Sequence, residues 1–383
     1  MKFSCTQENI KGGLNNITSI SGKNINLPIL SNILIKADEN NIKLSTTDLE
    51  IGATCSIRGK IEEKGEFTVN AKLLFDYINL LPNNRIDFEL LDNELLIKSE
   101  KYKTKIKGEN AEDFPIIPKI ETNDYFSFDL EDFKKSLTNV IFATANDETR
   151  IELSGVYFEF NKNELVLAST DSYRLAEKKV KYKESCEIAD GIKKIIVPAK
   201  TLQEVIKISS IDKEIEINKE KNNTEIKIYL SENQILFIYN GIELISRIIE
   251  GQYPDYKQII PNYDKTNSTI ININNKEFIR AIKASSLFSK KNINDIHLDF
   301  PTPQKKVIVS AISGQEGESV IEVPAEINGK DNGIVLNYKY LLDGLNSLDS
   351  EEIIMEIVDS NTPFLLKNKG DDNYIYIIMP IKQ

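Results

Sequence analysis

Few residues in this sequence could carry catalysis. The single histidine, His297, lies in the alternating segment NDIHLDF, which predicts a strand residue rather than a catalytic base. The three cysteines, Cys5, Cys55 and Cys186, are far apart, so neither a disulfide framework nor a zinc cluster is indicated. No GxxxxGK[ST] or strand-linked GxGxxG motif occurs, which removes phosphate-cradle chemistry. We therefore expect no catalytic residue, no metal and no cofactor.

Paired Thr-Asp residues are the remaining catalytic candidates. Thr47–Asp48 and Thr170–Asp171 each follow a predicted strand, and their carboxylates could serve a metal-dependent reaction. Because the same pair recurs after the same element, Asx and Thr turns explain it better. Asp371–Asp372 is predicted to be a solvated hairpin loop.

Basic residues give the clearest chemical signal, because they recur on predicted helices of a chain whose net charge is −11. With six arginines against 42 lysines, the usual reader of guanine edges is scarce. We expect non-sequence-specific, salt-sensitive contact with nucleic-acid phosphates, although solvation and helix-dipole complementarity would explain any one lysine. These residues are Lys11, Lys72, Lys134, Lys135, Lys200, Lys207, Arg280, Lys283 and Lys339.

The basic residues lie on elements that repeat three times. One amphipathic helix recurs as TQENIKGGLNNI, LEDFKKSLTNVI and NKEFIRAIKASSLF, and a second as NAKLLFDYINLL, VPAKTLQEVIKI and LNYKYLLDGLNSL. An alternating strand follows each first helix, as NIKLSTTD, ELVLASTD and KKVIVSA. Each unit takes about a third of the 383 residues, which is too long for a solenoid repeat.

Proline-containing segments separate the units. DFPIIP and YPDYKQIIP interrupt the strand pattern, since proline blocks continuation of a helix or central strand. We predict an α+β fold of three repeated domains, 1–122, 123–253 and 254–383, each with a mostly antiparallel sheet.

A lysine-rich segment, KYKTKIK (101–107), has two explanations. On a strand its four lysines would share one face, as in an edge strand protected against aggregation. The alternative is a subunit seam, in which the segment pairs with the acidic stretch GQEGESVIE, including Glu316 and Glu318.

Composition limits the compartment. Apolar residues make up 40% and charged residues 28% of the chain, which is typical of a globular protein. No run of 18 apolar residues occurs, and the start MKFSCTQENI lacks a signal-peptide core, so neither a membrane partner nor secretion is expected. Dispersed cysteines favour the reducing cytoplasm.

Along its whole length the chain resembles the bacterial DNA polymerase III beta subunit, the DNA sliding clamp. The resemblance is carried by LPILSNILI (27–35), TDLEIG (47–52), GEFTVNAKLL (65–74), DFPIIP (113–118), DETRIELSGVYFEF (147–160), STDSYRLAEKK (169–179), GQYPDYKQIIP (251–261) and the ending YIIMPIKQ. It implies a non-enzymatic homodimeric ring, with helices lining the hole and sheets outside, which encircles duplex DNA and tethers the replicative polymerase.

The resemblance also implies three groups of site residues. The pocket for peptides of the polymerase, the clamp loader and other clamp-binding-motif proteins would comprise Thr170, Tyr173, Arg174, Leu175, Pro254, Ile259, Ile378, Met379 and Pro380. DNA-facing residues would be the nine basic residues named above together with Lys23 and Arg150. The dimer interface would contain Lys101, Lys103, Leu287, Phe288, Glu316 and Glu318.

The chain departs from the family pattern at three places. Ser172–Tyr173 replaces a common Gly-His, and Lys382–Gln383 replaces a common Arg-Leu ending, so the peptide preference stays open. Asn24 replaces a frequent arginine and weakens one expected DNA contact. Two other functions stay open on the residues alone, namely a monomeric protein-binding scaffold and a carboxylate- and metal-dependent nuclease.

Overall fold

The structure, a computed structural model, describes residues 1–22, 26–39, 41–186, 192–211, 224–261 and 267–382. Six α-helices occur in these ranges, and they match the six helices predicted from the repeat. They are α1 (Gln7–Ile17), α2 (Ala71–Leu80), α3 (Leu130–Ile141), α4 (Ala199–Ile211), α5 (Asn275–Ser286) and α6 (Tyr338–Ser347). None of the helices that the structure describes is long and apolar enough to span a membrane.

The strands of the described ranges are numbered in chain order. They are β1 (Lys2–Thr6), β2 (Asn32–Asp38), β3 (Asn41–Thr47), β4 (Ile51–Ile57), β5 (Lys60–Glu63), β6 (Gly65–Asn70), β7 (Arg85–Leu91), β8 (Glu94–Ser99), β9 (Tyr102–Glu109), β10 (Phe126–Asp129), β11 (Gly155–Phe160), β12 (Glu164–Thr170), β13 (Arg174–Lys181), β14 (Glu184–Ser185), β15 (Lys193–Pro198), β16 (Glu225–Leu230), β17 (Gln234–Tyr239), β18 (Ile242–Arg247), β19 (Thr269–Asn274), β20 (Asp295–Phe300), β21 (Lys306–Ser313), β22 (Gly317–Asn328), β23 (Asn332–Asn337), β24 (Glu352–Ile357), β25 (Phe364–Asn368) and β26 (Tyr374–Ile378).

The chain divides into two compact units. The first comprises Met1–Lys134, Tyr182–Ala189 and Lys200–Ile248, and the second comprises Lys135–Lys181, Asp190–Ala199 and Ile249–Gln383. The α+β prediction is confirmed, because every strand pairing in the described ranges is antiparallel.

Each unit contains one extended sheet. The described strands of the first unit run in the order β14-β10-β16-β17-β18-β4-β3-β2-β6-β9-β8-β7-β1-β5, and those of the second in the order β15-β11-β12-β13-β26-β25-β24-β19-β22-β21-β20-β23. In each sheet the last strand of one repeat pairs with a strand of a different repeat. β18 pairs with β4 in the first sheet, and β26 pairs with β13 in the second. The pairing of β13 with β26 positions the candidate site described below.

The helices pack an apolar stripe onto the sheets. In α1 the side chains of Ile10, Leu14 and Ile17 are completely buried, and Thr6 caps the helix by accepting a hydrogen bond from the Asn9 amide. Gly13 permits the close approach of this helix to its sheet, since a Cβ there would lie 2.6 Å from Ile57 Cγ2. Burial of this stripe from water supplies most of the helix stability.

The three predicted strands are confirmed as β3, β12 and β21; β3 and β21 alternate in burial as expected, whereas β12 is buried on both faces from Leu165 to Thr170. Their inward side chains are buried, including Leu44, Leu167 and Val309. The segment 101–107 was predicted to place all four of its lysines on one strand, and it departs from that prediction at Lys101. This residue precedes β9 and lies in a turn that begins at Glu100, whose φ is 47°. Within β9, Lys103 and Lys105 are exposed as predicted.

Candidate functional site

A tight turn between β12 and β13 forms the framework of the candidate site in the second unit. Thr170 Oγ1 donates to the Arg174 carbonyl at 2.6 Å and accepts from the Ser172 amide at 3.1 Å. Asp171 Oδ1 accepts from the amides of Tyr173 and Arg174 at 2.9 and 3.0 Å. Ser172 has φ of 76°, a left-handed conformation that this dense set of bonds holds in place.

The first unit contains the same turn at Thr47–Ile51. Thr47 Oγ1 bonds the Ile51 carbonyl at 2.9 Å, Asp48 Oδ1 accepts from the Ile51 amide at 2.8 Å, and Leu49 has φ of 79°. The prediction that Thr47–Asp48 and Thr170–Asp171 are turn residues is therefore confirmed. One oxygen of each aspartate is engaged by backbone amides, so these pairs act as structural groups.

The Arg174 side chain is buried within the second unit. Only 9% of its side chain is exposed. Its Nε donates to Asp171 Oδ2 at 2.9 Å, Nη1 to Asp343 Oδ2 at 2.5 Å, and Nη2 to the Phe142 carbonyl at 2.7 Å. The guanidinium also lies 4.5 Å from the Tyr340 ring centroid. Arg174 thereby connects the turn, the end of α3, and α6.

Electrostatics favour the charged form of this arginine. Burial alone would lower the pKa of Arg174, but interactions with the Tyr376 side chain, with Asp343 and with Asp171 raise it above its ordinary value. Two carboxylates and a carbonyl therefore offset the cost of burying the cation.

Strand pairing brings the C-terminal residues against this turn. Arg174 is opposite Ile378 in the pairing of β13 with β26, and the Met379 amide donates to the Tyr173 carbonyl at 2.8 Å. Ile378 is fully buried and Met379 is 36% exposed, so the strand end changes from core to surface within one residue. Tyr173 is 64% exposed beside it.

The segment Gly251–Pro261 supplies the third component. Tyr253 and Tyr256 pack in one buried cluster with Leu175 and Ile377, and this anchors the intervening Pro254, which is half-buried. Ile259 is 43% exposed. The sequence-predicted pocket residues thus fall into two groups. The buried group comprises Thr170, Arg174, Leu175 and Ile378, and the more accessible group comprises Tyr173, Pro254, Ile259, Met379 and Pro380.

Sequence reasoning missed several contributors to this arrangement. Asp343 and Phe142 hold Arg174, and Tyr157 stacks on Tyr253 with ring centroids 5.0 Å apart. Ile151 is 60% exposed and precedes Leu153, a member of the buried cluster around Tyr253, by two residues in the sequence. Periodicity could have flagged Tyr157 as a buried strand residue, but the Asp343 contact joins residues 169 positions apart.

The predicted DNA-facing residues lie mainly at exposed positions on helices. Arg280, Lys283 and Lys339 are exposed, and within the described ranges no acidic group forms an ion pair with them. Lys11 and Lys134 are half-buried, and Lys23 lies outside the described residues, as does Asn24. Five others form ion pairs, namely Lys72 with Asp76, Lys135 with Asp349, Arg150 with Glu152, Lys200 with Asp48, and Lys207 with Glu204.

Two strands carry open edges where the seam residues were predicted. β9 pairs with β8 along its length but with β6 only at Gly108 and Glu109, and residues 317–324 of β22 pair with β21 alone in the part that the structure describes. Lys103 and Glu318 are exposed on these strands.

Exposed apolar side chains occur in both units. Leu287 is 75% exposed after α5, Phe288 is half-buried, and Val320 on β22 is 64% exposed. In the first unit, Leu73 and Leu80 on α2 are 53% and 80% exposed, a signal that the sequence analysis did not use. Glu316 forms an ion pair with Lys291 at 3.2 Å.

Two other residues considered for chemistry lie where the sequence predicted, on a strand and in a hairpin turn. His297 lies on β20, as predicted, with Nε2 3.9 Å from Asp295 Oδ2. Asp371 lies in the predicted hairpin turn and accepts a hydrogen bond from Lys178 Nζ at 3.0 Å. Within the described residues, no group of three His, Cys, Asp or Glu side chains could hold a metal ion.

Comparison with known families gives three consecutive matches. Models of the DNA polymerase III beta subunit match residues 1–118 with its N-terminal domain, 128–255 with its central domain and 257–382 with its C-terminal domain. The chain belongs to the DNA polymerase III beta subunit family.

Individual members of the beta subunit family match end to end. The beta sliding clamps of Staphylococcus epidermidis and Staphylococcus aureus are each 30% identical to this chain, and the alignments cover all of it and 99% of each relative. The crystal structure of the DNA polymerase sliding clamp from Bacillus subtilis has a TM-score of 0.91 at 26% identity, covering 100% of this chain and 99% of that one. A sliding clamp from Bartonella birtlesii bound to griselimycin has a TM-score of 0.89 at 26% identity, with complete coverage of both chains.

Proposed function

We propose that this chain is the sliding clamp of a bacterial replication system. It acts without catalysis of its own, as a homodimeric ring that encircles duplex DNA and tethers the replicative polymerase. The observation that carries the proposal is the end-to-end match of three beta-subunit domains to a chain whose own helices and strands repeat three times. Two such chains supply six repeats. A closed ring retains DNA topologically, so it can slide and still hold the polymerase at high effective concentration.

We infer three domains with boundaries at residues 122 and 253. The family matches end or begin close to these positions, at 118, 128, 255 and 257, and the proline-containing segments fall there. In this proposal each domain contributes two helices and its strands to one of the two sheets or to both.

The DNA-facing surface is proposed to consist of the basic residues of the six helices with Lys23 and Arg150. Their exposure and their excess over acidic partners on α5 and α6 support it. Because lysine meets phosphates as a hydrated point charge, the contact is not sequence-specific and weakens with salt.

The dimer seam is proposed to pair β9 of one copy with β22 of another. An open strand edge is a template for pairing with a second chain. Here Lys103 lies on one edge with Lys101 just before the strand, and Glu318 lies on the other with Glu316 just before the strand. Leu287 and Phe288 give the seam its apolar contact, and Leu73 and Leu80 extend it.

The peptide pocket is proposed to lie at the junction of β13 with β26. A flexible methionine, an exposed tyrosine and two prolines beside a rigid turn suit an extended peptide that inserts apolar side chains. Its partners would be the polymerase, the clamp loader and other proteins with clamp-binding motifs. We place the protein in the cytoplasm, where bacterial replication takes place and where three dispersed cysteines would stay reduced.

The assembly tests this proposal against the two alternatives. Light scattering is expected to give a species of twice 43.5 kDa, and negative-stain images are expected to show closed rings. A species of 43.5 kDa alone at micromolar concentration would favour a monomeric scaffold. Cleavage of DNA that required added Mg²⁺ would favour a nuclease.

A further inference from the structure

An open groove lies in the first unit between residues 114–120, called here the first linker, and the sheet face that α1 does not cover. Two adjoining cavities of about 820 and 330 Å³ follow it, and both are lined by Lys43, Thr54, Ile117 and Lys119. The larger volume is within the range of ligand pockets in other proteins. We call this space the linker groove.

The second unit holds its corresponding linker, residues 253–259, against its own sheet. Tyr256 Oη donates to Glu177 Oε2 at 2.7 Å, and Lys257 Nζ donates to Glu159 Oε1 at 3.0 Å. Tyr256 is 2% exposed, so its ring is packed between the linker and the sheet. Side chains of the linker and of the sheet together close this face of the second unit.

The first unit lacks these contacts because its residues differ at the corresponding positions of the repeat. Thr54 occupies the position of Glu177 relative to the Thr-Asp turns, and Ile117 occupies the position of Tyr256 relative to the Phe-Pro and Tyr-Pro pairs that begin the two linkers. Isoleucine has no hydroxyl to donate, and Pro118 replaces the lysine that follows Tyr256. The linker groove is therefore open where the second unit is closed.

The backbone of the first linker has unused hydrogen-bonding groups. Within the described part of the chain, residues 115–121 form no backbone hydrogen bond. Ile116, Ile117, Lys119 and Ile120 each have an amide N–H, and the Ile116 side chain is 93% exposed. An extended segment with open amides and carbonyls is a template for an added strand.

The charges around the groove favour an anionic group. Lys43 lies directly opposite Lys36 in the pairing of β2 with β3, and Lys36 is already paired with Glu66 at 2.9 Å. Like charges at facing positions destabilise a sheet, so a carboxylate beside Lys43 would be stabilising. Among the described residues, Lys43 and Lys119 form no ion pair, and Glu243 is the acidic residue of the lining that forms none. Two ammonium groups thus face one carboxylate. The other acidic residues of the lining, Asp38 and Glu39, are paired with Lys64.

We propose that the linker groove is a second docking site, which binds an extended peptide segment of a partner protein that carries a carboxylate next to apolar side chains. The peptide adds as a strand to the first linker, its apolar side chains fill the cavities, and its carboxylate contacts Lys43 and Lys119. The site shares no residue with the proposed pocket at the junction of β13 with β26. The inference goes beyond that pocket and holds or fails independently of it.

Closing the groove is the main test. Thr54→Glu with Ile117→Tyr, called here the closed variant, transfers the Tyr256–Glu177 contact of the second unit to the first. It should fill the groove and leave the dimer intact, which circular dichroism and light scattering check.

Reversing the charge is the second test, and it does not depend on the folding of the closed variant. Lys43→Glu with Lys119→Glu leaves the groove open but repels a carboxylate. Lys162→Glu with Lys181→Glu is the matched control, since it reverses two exposed lysines outside the groove.

The probe is a randomised ten-residue peptide library displayed on phage and selected on Met379→Ala, so that binders to the proposed pocket are disfavoured. We expect peptides with an acidic residue flanked by apolar ones. Measured by fluorescence anisotropy, they should bind wild type and Met379→Ala equally. Their affinity should fall about tenfold or more in the closed variant and about three- to tenfold in the lysine reversal, and stay unchanged in the control.

The other outcomes overturn the proposal. Selection of no common peptide would do so, as would peptides that bind wild type and the closed variant equally. Peptides that respond to closure but not to the lysine reversal would overturn the acidic chemistry of the occupant. A species larger than the dimer that the closed variant loses would make a second copy of the chain the occupant.

Discussion

At the scale of single residues, Arg174 illustrates what sequence could and could not give. Its motif, Thr-Asp-Ser-Tyr-Arg-Leu, led to a prediction that it lines a peptide pocket. In the structure its guanidinium bonds Asp171, Asp343 and the Phe142 carbonyl, so it holds the turn in place from a buried position. Asp343 lies on α6, and nothing in a local pattern announces a contact over that separation.

Arg174→Met should therefore act on stability. The change removes three charge-assisted hydrogen bonds and leaves Asp171 short of its partner, at a cost of about 2–4 kcal/mol in the free energy of unfolding. Urea titration followed by circular dichroism would measure it. Arg150→Met is the control, since that exposed arginine should contribute under about 1 kcal/mol. Equal costs for the two variants would contradict the positioning role.

Met379→Ala tests the pocket itself. The side chain is accessible and the Met379 amide bonds the Tyr173 carbonyl, so Met379→Ala should weaken binding of a partner peptide about tenfold while the dimer stays intact. Fluorescence anisotropy with a labelled peptide measures the affinity. Leu91→Ala, which truncates a similarly exposed apolar side chain of the first unit, should leave it unchanged. An unaltered affinity in Met379→Ala would remove Met379 from the site.

At the scale of elements, hydrophobic period predicted all six helices and the three alternating strands, because each buries one stripe or one face. It could not tell which strands are edges, since an edge is set by the order of the whole sheet. The open edges of β9 and β22 came from the structure, as did the exposed leucines of α2. For the same reason the segment 101–107 kept two explanations on sequence alone.

Reversing Lys101 and Lys103 to Glu should loosen the dimer about tenfold or more, because two attractions across the seam become repulsions. Analytical ultracentrifugation measures the dimer dissociation constant. Reversing Lys43 and Lys119, exposed lysines elsewhere in the first unit, changes the net charge equally and should not affect it. Adding Glu316→Lys and Glu318→Lys to the first pair should restore dimers, and failure of both effects would remove the charged seam.

The contacts of Glu159 with Lys257 and Tyr157, called here the linker brace, should stabilise the fold in a pH-dependent way. Burial raises the pKa of Glu159, but the hydrogen bonds from Lys257 and Tyr157 lower it by a larger amount. The pKa of Glu159 therefore lies below its usual value of 4.5. A carboxyl with a lowered pKa stabilises the fold above its unfolded pKa and loses this contribution as the pH falls through its folded pKa. Glu159→Gln should therefore be less stable than wild type at pH 7, and the gap should narrow below pH 4.5.

Chemical denaturation of both proteins between pH 7 and pH 3 measures that gap. Glu232→Gln, at an exposed hairpin residue, should show none at any pH. A gap of constant size for Glu159→Gln would show that the brace acts by packing alone.

At the scale of the whole molecule, the net charge of −11 first argues against DNA. The proposal resolves this by local balance, because the six helices carry ten basic and seven acidic residues in a chain where acidic residues predominate. Overall composition cannot show such a local excess, whereas repeats and a full-length family resemblance can. The sequence thus predicted the fold class and the repeats directly, while the function depended on the family, because a ring is a property of assembled copies.

The most direct test of the account asks whether retention on DNA is topological. The protein is loaded by its clamp loader onto nicked circular DNA, separated from free protein by gel filtration, and the circle is then cut once with a restriction enzyme. We predict that the protein stays on the intact circle and leaves the linear product through its ends. Equal retention on circular and linear DNA would contradict encirclement.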